Sequence, residues 1–170
     1  MQLHYDLTGG EELIGLWGRA PQIVQAELGA AMAEVDALLE RGVKEETPTG
    51  ASGGGAGGLK GSIFSEERIG PENVIGIVGT PLSYAIPVEL GTKPHFPPIE
   101  PLEDWVRAKL GVREDHEVHS AAFLIARAIA RRGTLAVGMF HRTFAANEHE
   151  VEERFAQARL RIVERLGGAA

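Results

Sequence analysis

The sequence predicts an α+β fold in which a small antiparallel sheet packs against a long N-terminal helix and three C-terminal helices. Three observations support this prediction. Apolar residues recur at helical spacing from Val24 to Leu39, two β-prone segments flank a turn near the middle of the chain, and helical patterns occupy the last third. Helices separated along the chain from a run of strands are typical of the α+β class. The 170 residues are predicted to form a single domain, 1–170.

The N-terminal part is predicted to be helical after one short strand. Residues 2–8 alternate loosely and indicate a strand, and Thr8 with Glu11 has the spacing of a capping box at the start of a helix. Pro21 favours the first position of a second, longer helix. We expect that helix to end near Gly42, because glycine is a common C-cap residue.

The middle of the chain predicts a hairpin and an edge strand. Residues 59–69 and 73–80 are β-prone and flank the turn sequence IGPEN. Residues 82–91 predict a third strand, which Pro87 places at the edge of the sheet because proline cannot donate a ladder hydrogen bond. The four prolines of residues 92–101 predict a rigid, extended connection.

The last third predicts three helices. The first spans 101–111, with a proline at its start and Gly111 as its terminator. The second spans 116–132, and a Gly133-Thr134 turn separates it from a last helix over about 139–166. The last helix carries one apolar stripe that we expect to be buried against its own domain, formed by Phe140, Phe144, Val151, Phe155, Ile162 and Leu166.

Composition narrows the class of function. The formal net charge of −7 argues against a nucleic-acid-binding surface, because neutralising phosphates needs clustered Lys and Arg. The chain has no cysteine, which excludes disulfides, a thiol nucleophile and a thiolate zinc site. We find no pattern of a signal peptide or of a membrane-spanning segment, and therefore expect a protein of the cytosol or of a particle assembled there.

A glycine-rich run, GASGGGAGGLKGS, allows two interpretations. It contains the pattern Gly53-x-Gly55-x-x-Gly58, which in a nucleotide-binding enzyme follows a strand and opens a helix. Here the run follows a predicted helix and precedes a predicted strand, so nucleotide binding is the weaker alternative. We expect residues 49–58 to form a flexible loop that includes Gly50, Gly53, Gly54, Gly55, Gly57 and Gly58.

Other chemical signals are weak. His116 and His119 are spaced so that one helix face could present both to a metal, but a third ligand is not evident, and polar residues at a helix start explain them better. The Arg131-Arg132 pair is interpreted as a solvated helix end. We therefore assign no catalytic, cofactor-binding or metal-ligating residue, require no cofactor, and predict that the protein is not an enzyme.

Short motifs in a characteristic order resemble a family of bacteriophage tail-component proteins. The family is typified by a lambdoid siphophage tail-completion protein at the head–tail junction. Its pattern has a P-x-x-TG-x-L-x-x-S-I entry to the sheet, then YA-x-x-V-E-x-GT, then a proline-aromatic turn. The matching residues are Pro48, Thr49, Gly50, Leu59, Lys60, Ser62 and Ile63, then Tyr84, Ala85, Val88, Glu89, Gly91 and Thr92, then Pro94, Phe96 and Pro97. The resemblance covers roughly 20–166, and the glycine-rich run is an insertion between Gly50 and Leu59.

The resemblance implies a structural protein of the virion tail or neck, assembled in the bacterial cytoplasm. Such a protein is a tail-completion or tail-terminator subunit that forms a ring, usually a hexamer, and joins the tail tube protein to the head–tail connector. DNA would pass through the ring without sequence-specific binding, and no membrane is involved. An assembly factor of contractile-tailed phages is the nearest alternative.

The expected contact between subunits is the sheet edge with the adjoining segment 89–98. A proline-rich segment stays extended at low entropic cost, and an aromatic residue held on it is typical of an interface anchor. The alternative is that Phe96 packs under the helix that begins at Pro101. The predicted interface residues are Tyr84, Glu89, Gly91, Thr92, Pro94, His95, Phe96 and Pro97.

Overall fold

Helices form most of the protein, and the α+β class is confirmed. The computed structural model describes residues 10–50, 58–70 and 73–167, and the predicted strand at 2–8 lies outside them. Within the described part, the sheet is a two-stranded antiparallel hairpin of β1 and β2. In chain order the elements are α1 (Gly10–Glu46), α2 (Leu59–Ser62), β1 (Phe64–Ile69), β2 (Val74–Gly79), α3 (Ala85–Leu90), α4 (Glu100–Leu110), α5 (Asp115–Arg132) and α6 (Met139–Gly167).

The chain divides into two compact units. The first unit comprises Met1–Ala37, Glu66–Ile77 and Glu148–Ala170, and the second comprises Leu38–Ser65 and Val78–Asn147. The first unit therefore draws on α1, the hairpin and α6. The second unit contains the whole of α2, α3, α4 and α5.

The N-terminal helix is longer than predicted. Pro21 lies inside α1 rather than at the start of a second helix, because a proline removes one intrahelical hydrogen bond while the turns on either side keep theirs. The predicted end at Gly42 is also wrong, since α1 continues to Glu46. A Cβ at position 42 would lie 2.7 Å from Cγ2 of Thr143, so this glycine allows α6 to approach α1 within the second unit.

The predicted hairpin is confirmed, but its first strand begins later than expected. Leu59–Ser62 forms the one-turn helix α2, in which the Ser62 hydroxyl donates to the Leu59 carbonyl at 2.8 Å. Leu59 begins this short helix and Ile63 follows it, and both side chains are buried because one helical turn brings residues four apart to the same side. The turn closes with a 2.8 Å hydrogen bond from the Gly70 N–H to the Asn73 carbonyl.

The predicted third strand at 82–91 is wrong, because Ala85–Leu90 is the helix α3. Pro87 occupies the first turn of α3, where a backbone N–H has no intrahelical partner, so proline is tolerated there. Gly91 ends the helix with φ 70°, a conformation that favours glycine. The sheet therefore has no edge strand at Pro87.

The three C-terminal helices are confirmed, with ends within one residue of the predicted ones. Gly111 is the left-handed C-cap of α4, as expected. The apolar stripe of α6 is only partly buried, since Phe144 is 45% exposed. Thr143 is the buried residue beside Gly42, and Phe144 therefore points about 100° further round the helix.

Two apolar clusters form the core of the second unit. Val43 of α1 and Met139 of α6 are fully buried in the larger cluster, together with Leu59, Ile63 and Ala85. Val106 of α4 packs with Val118 and Ala122 of α5 in the smaller one. The larger cluster draws on segments that are distant in the chain, and its burial is the main favourable contribution to the stability of this unit.

In the first unit, glycines let the hairpin approach α1. A Cβ at Gly29 would lie 3.3 Å from Cδ1 of Ile69, and a Cβ at Gly76 would lie 2.6 Å from Sδ of Met32 and against Oδ1 of Asp36. The Gln25 side chain also donates to the Gly70 carbonyl at 3.0 Å. The two glycines thus occupy positions where the helix leaves no room for a side chain.

Charged groups join α1 to α6 within the first unit. Arg161 and Arg165 each donate to the Glu27 carboxylate at 2.7 Å, and the Glu27 side chain is only 14% exposed. The hydrogen bonds from Arg161 and then Arg165 hold the pKa of Glu27 below its ordinary value of 4.5. The carboxylate is therefore better stabilised in the folded protein than in the unfolded chain.

We predict that Gly76→Ala destabilises the protein by about 1–3 kcal/mol, because the added methyl group overlaps Asp36 and Met32. Gly79→Ala in the same strand is the matched control, since a Cβ there meets no described atom within 4 Å. Urea unfolding of both variants tests this prediction. Equal stability of the two variants would show that the close approach at position 76 does not limit packing.

We also predict that Glu27→Gln weakens the acid dependence of stability. A depressed folded pKa contributes stability above the unfolded value, and that stability is lost as the pH falls through the folded pKa. The free energy of unfolding of Glu27→Gln, measured from pH 7 to about pH 3, should therefore fall less than that of the wild type. Glu148→Gln is the control, because this exposed residue makes no ion pair within 10–50, 58–70 and 73–167. A pH profile of Glu27→Gln that matches the wild type would contradict the prediction.

Candidate interaction surface

Two Gly-Thr dipeptides pair with each other after the ends of α3 and α5. The Thr92 N–H donates to the Thr134 carbonyl at 3.1 Å, the Thr134 N–H donates to the Thr92 carbonyl at 3.2 Å, and the two hydroxyls lie 3.0 Å apart. Gly91 and Gly133 have φ values of 70° and 72°. A Cβ on Gly91 would lie 2.5 Å from the Thr134 carbonyl oxygen. A Cβ on Gly133 would overlap the Thr92 carbonyl oxygen. We call this four-residue pairing the Gly-Thr clasp.

Glu89 lies beside the clasp and caps α6. The backbone N–H groups of Phe140 and His141 donate to the two carboxylate oxygens of Glu89, both at 3.0 Å. The Val137 N–H also donates to the Val88 carbonyl at 3.0 Å. A carboxylate at a helix N-terminus satisfies unpaired N–H groups and interacts favourably with the helix dipole. Glu89, Gly91 and Thr92 thus have packing roles within the chain.

The remaining predicted interface residues are more exposed. Tyr84 precedes α3 and is 48% exposed, and Pro94 and His95 are exposed in the segment that follows the clasp. Pro97 is half-buried, and the His95 imidazole lies 3.0 Å from the Lys93 carbonyl. The predicted set therefore divides into half-buried residues that bond within the chain, which are Glu89, Gly91 and Thr92, and a more exposed segment.

Phe96 is the most exposed aromatic residue of this segment. It is 55% exposed, and its ring packs against Phe123 of α5 with centroids 6.2 Å apart and planes tilted by 58°. Phe123 is itself 44% exposed. The ring contact of Phe96 is with α5, whereas the alternative drawn from the sequence was a position under α4. Two large rings thus share one exposed apolar patch, which we call the Phe96–Phe123 patch.

An apolar groove lies along α3, and sequence reasoning missed it. The groove has a volume of about 370 Å³ and is lined by Val78, Leu82 and Phe140, among others. Ile86 and Leu90, on successive turns of α3, are 64% and 73% exposed at the groove. The spacing of four residues between Ile86 and Leu90 is typical of a helix, whereas the sequence pattern predicts a strand over 82–91.

A second depression, on α5, is lined by arginines. Arg127, Arg131 and Arg132 line it together with Leu124 and Ala128, in a volume of about 460 Å³. These three arginines make no ion pair with any residue in the described ranges. Leu124 is 63% exposed. The prediction of a solvated helix end accounts for the charges but not for the exposed leucine among them.

The two histidines considered as metal ligands do not form a metal site among the described residues, and only the ends of the glycine-rich run are described. His119 lies 2.7 Å from a carboxylate oxygen of Glu103 on α4, and His116 is exposed. Among the described residues, no group of three or more His, Cys, Asp or Glu side chains could hold a metal ion. Gly50 is exposed and Gly58 is buried before α2, while residues 51–57 of the glycine run lie outside the described part. The mobility of that run stays a prediction.

Comparisons with known proteins add no relative. No protein-family model, no curated protein and no solved structure matches the chain. In the part of the chain that the structure describes, no helix has the length and apolar character needed to cross a membrane.

We predict that Gly133→Ala is much more destabilising than Gly111→Ala. Both glycines have positive φ, so both variants carry backbone strain of about 1–2 kcal/mol. Only at Gly133 would the methyl group also overlap a backbone carbonyl, whereas Gly111 meets no described atom within 4 Å. We expect a loss of about 3 kcal/mol or more for Gly133→Ala, measured by thermal and urea unfolding. An equal loss of unfolding free energy in the two variants would show that the clasp accommodates the added methyl group without losing stability.

Proposed function

We propose that this chain is a structural subunit of a bacteriophage tail or neck that assembles into a closed ring. In this proposal the ring joins the tail tube to the head connector, and the subunit acts as a tail-completion or tail-terminator protein. The support comes from the resemblance of the sequence motifs to that family and from the exposed surface of the second unit.

The motif residues make physical sense in this fold. Ala85 and Val88 belong to the larger apolar cluster, Glu89 caps α6, and Gly91 with Thr92 forms half of the clasp. A motif whose residues hold α3 and α6 together is expected wherever the same fold recurs. These motif residues therefore have packing roles in this chain, and the proposed function depends on the exposed surface.

The observation that carries the proposal is the Phe96–Phe123 patch. Large aromatic side chains are enriched at protein interfaces, and exposing them costs solubility unless a partner covers them. Phe96 is held on a proline-rich segment beside the clasp, so little conformational entropy is lost when a partner binds it. One such patch on each subunit, meeting a different surface of the next subunit, repeats until a ring closes.

We predict that Phe96→Ala leaves the subunit folded but impairs self-association. Truncating a half-exposed ring removes little core packing, whereas an interface anchor contributes about 2 kcal/mol or more to binding. Circular dichroism and thermal unfolding report the fold, and light scattering after size exclusion reports assembly over a range of concentrations.

Phe144→Ala is the matched control, because Phe144 is a similarly exposed phenylalanine outside this patch. It should assemble as the wild type does. If Phe96→Ala assembles normally, the patch is not the interface. If the wild type stays monomeric at every concentration, alone and with tail tube protein, the ring itself is contradicted.

A further inference from the structure

The arginine face of α5 brings three arginines together in one depression. Arg127 and Arg131 are four residues apart and therefore lie on one side of the helix, with Leu124 about one turn before Arg127. None of the three arginines that line this depression has an ion-pair partner among the residues described. Six arginines elsewhere in the protein pair with a carboxylate, namely Arg68, Arg107, Arg142, Arg154, Arg161 and Arg165. Arg19, Arg41, Arg113 and Arg159 make no ion pair among the described residues, and none of them lines the α5 depression.

The make-up of this face fits a protein partner better than a nucleic acid. Leu124 is 63% exposed and lines the same depression as the arginines, and an apolar side chain offers nothing to a phosphate backbone. Arginine beside exposed apolar residues is typical of the centre of protein interfaces. The net charge of −7 also opposes the approach of a polyanion. The expected partner surface is apolar and carries carboxylates.

One face of α6 has that complementary make-up. Leu160 and Val163 are 64% and 65% exposed. Glu152 precedes Val163 by eleven residues, which is about three helical turns, and Glu164 follows Leu160 by four. Glu152 and Glu164 are exposed and form no ion pair within the described residues. Arg159 is also exposed on this stretch, but carboxylates outnumber it.

We propose that the arginine face of α5 binds the acidic, apolar face of α6 on a second copy of the chain. Leu124 packs against Leu160 and Val163, and the guanidinium groups meet the carboxylates. Because the two faces differ, each bound copy still offers one unused face, and the contact repeats around a ring. This inference rests on the proposed self-association and identifies a second contact besides the Phe96–Phe123 patch.

Charge reversal on the two faces tests the pairing. Arg127→Glu with Arg131→Glu makes the α5 face acidic, and Glu152→Lys with Glu164→Lys makes the α6 face basic. Each double variant should shift the concentration of half-assembly upward by about tenfold or more, because like charges then oppose each other. Mixed in equal amounts, the two variants should assemble again, since every contact between unlike copies pairs opposite charges.

The control is Arg41→Glu with Arg113→Glu, which changes the net charge equally at exposed arginines that make no ion pair in the described part. It should assemble as the wild type does. Light scattering at 0.15 M salt measures assembly, and circular dichroism confirms that each variant is folded. The contact is overturned if the reversed variants assemble normally, or if the folded variants do not recover when mixed.

The same samples separate this inference from the proposed ring and from nucleic-acid binding. Normal assembly of the reversed variants would overturn the α5–α6 contact but leave the ring intact, whereas a wild type that never assembles contradicts both. Fluorescence anisotropy with a short DNA duplex tests the other partner class. Duplex binding that is lost in the Arg127→Glu/Arg131→Glu variant, with assembly unchanged, would assign the face to nucleic acid and overturn the proposal.

Discussion

The second unit depends on the Gly-Thr clasp, in which two glycines with positive φ let two backbone segments meet without a side chain between them. The paired threonines are 42 residues apart in the chain, so their hydrogen bonds close a long loop that contains α4 and α5. Closing such a loop costs conformational entropy, and the apolar clusters on which α3, α4 and α5 pack offset that cost. The clasp also sets where α6 begins, because the neighbouring Glu89 accepts hydrogen bonds from its first turn.

Glycine has a second use here, which is to bring helices and strands close together. Gly42 lies inside α1 where α6 approaches, and Gly76 lies in β2 where the hairpin meets α1. A glycine in a helix or strand loses more conformational entropy than alanine on folding. The protein bears that loss where the closer approach increases packing on both sides.

The distribution of charge connects the fold with the proposed assembly. Ion pairs such as Glu27 with Arg161 and Arg165 join helices within the first unit and use arginines for internal packing. Three arginines of α5 make no ion pair among the described residues and line one depression with the exposed Leu124, and in our proposal they meet a second copy of the chain. Surface ion pairs add little to stability by themselves, but their arrangement selects which surfaces meet. The same residue type thus serves the fold on α6 and, in our proposal, the assembly on α5.

Elements with local sequence signals could be predicted before the fold was known. The hairpin has a turn between two β-prone runs, and α4 has a proline at its start and Gly111 after its end. These features act over a few residues, so a short stretch of sequence is enough to predict the element. Long-range contacts were needed at positions where one residue type suits two conformations. Pro87 is compatible with an edge strand and with the first turn of a helix, and the distant bonds of Glu89 and Thr92 favour the helix. Gly42 is compatible with a helix end and with close packing of two helices. Its contact with Thr143, about a hundred residues away in the chain, favours the close packing of α1 and α6. The exposed patches depend on the same long-range packing, because burial is a property of the folded chain and not of any segment.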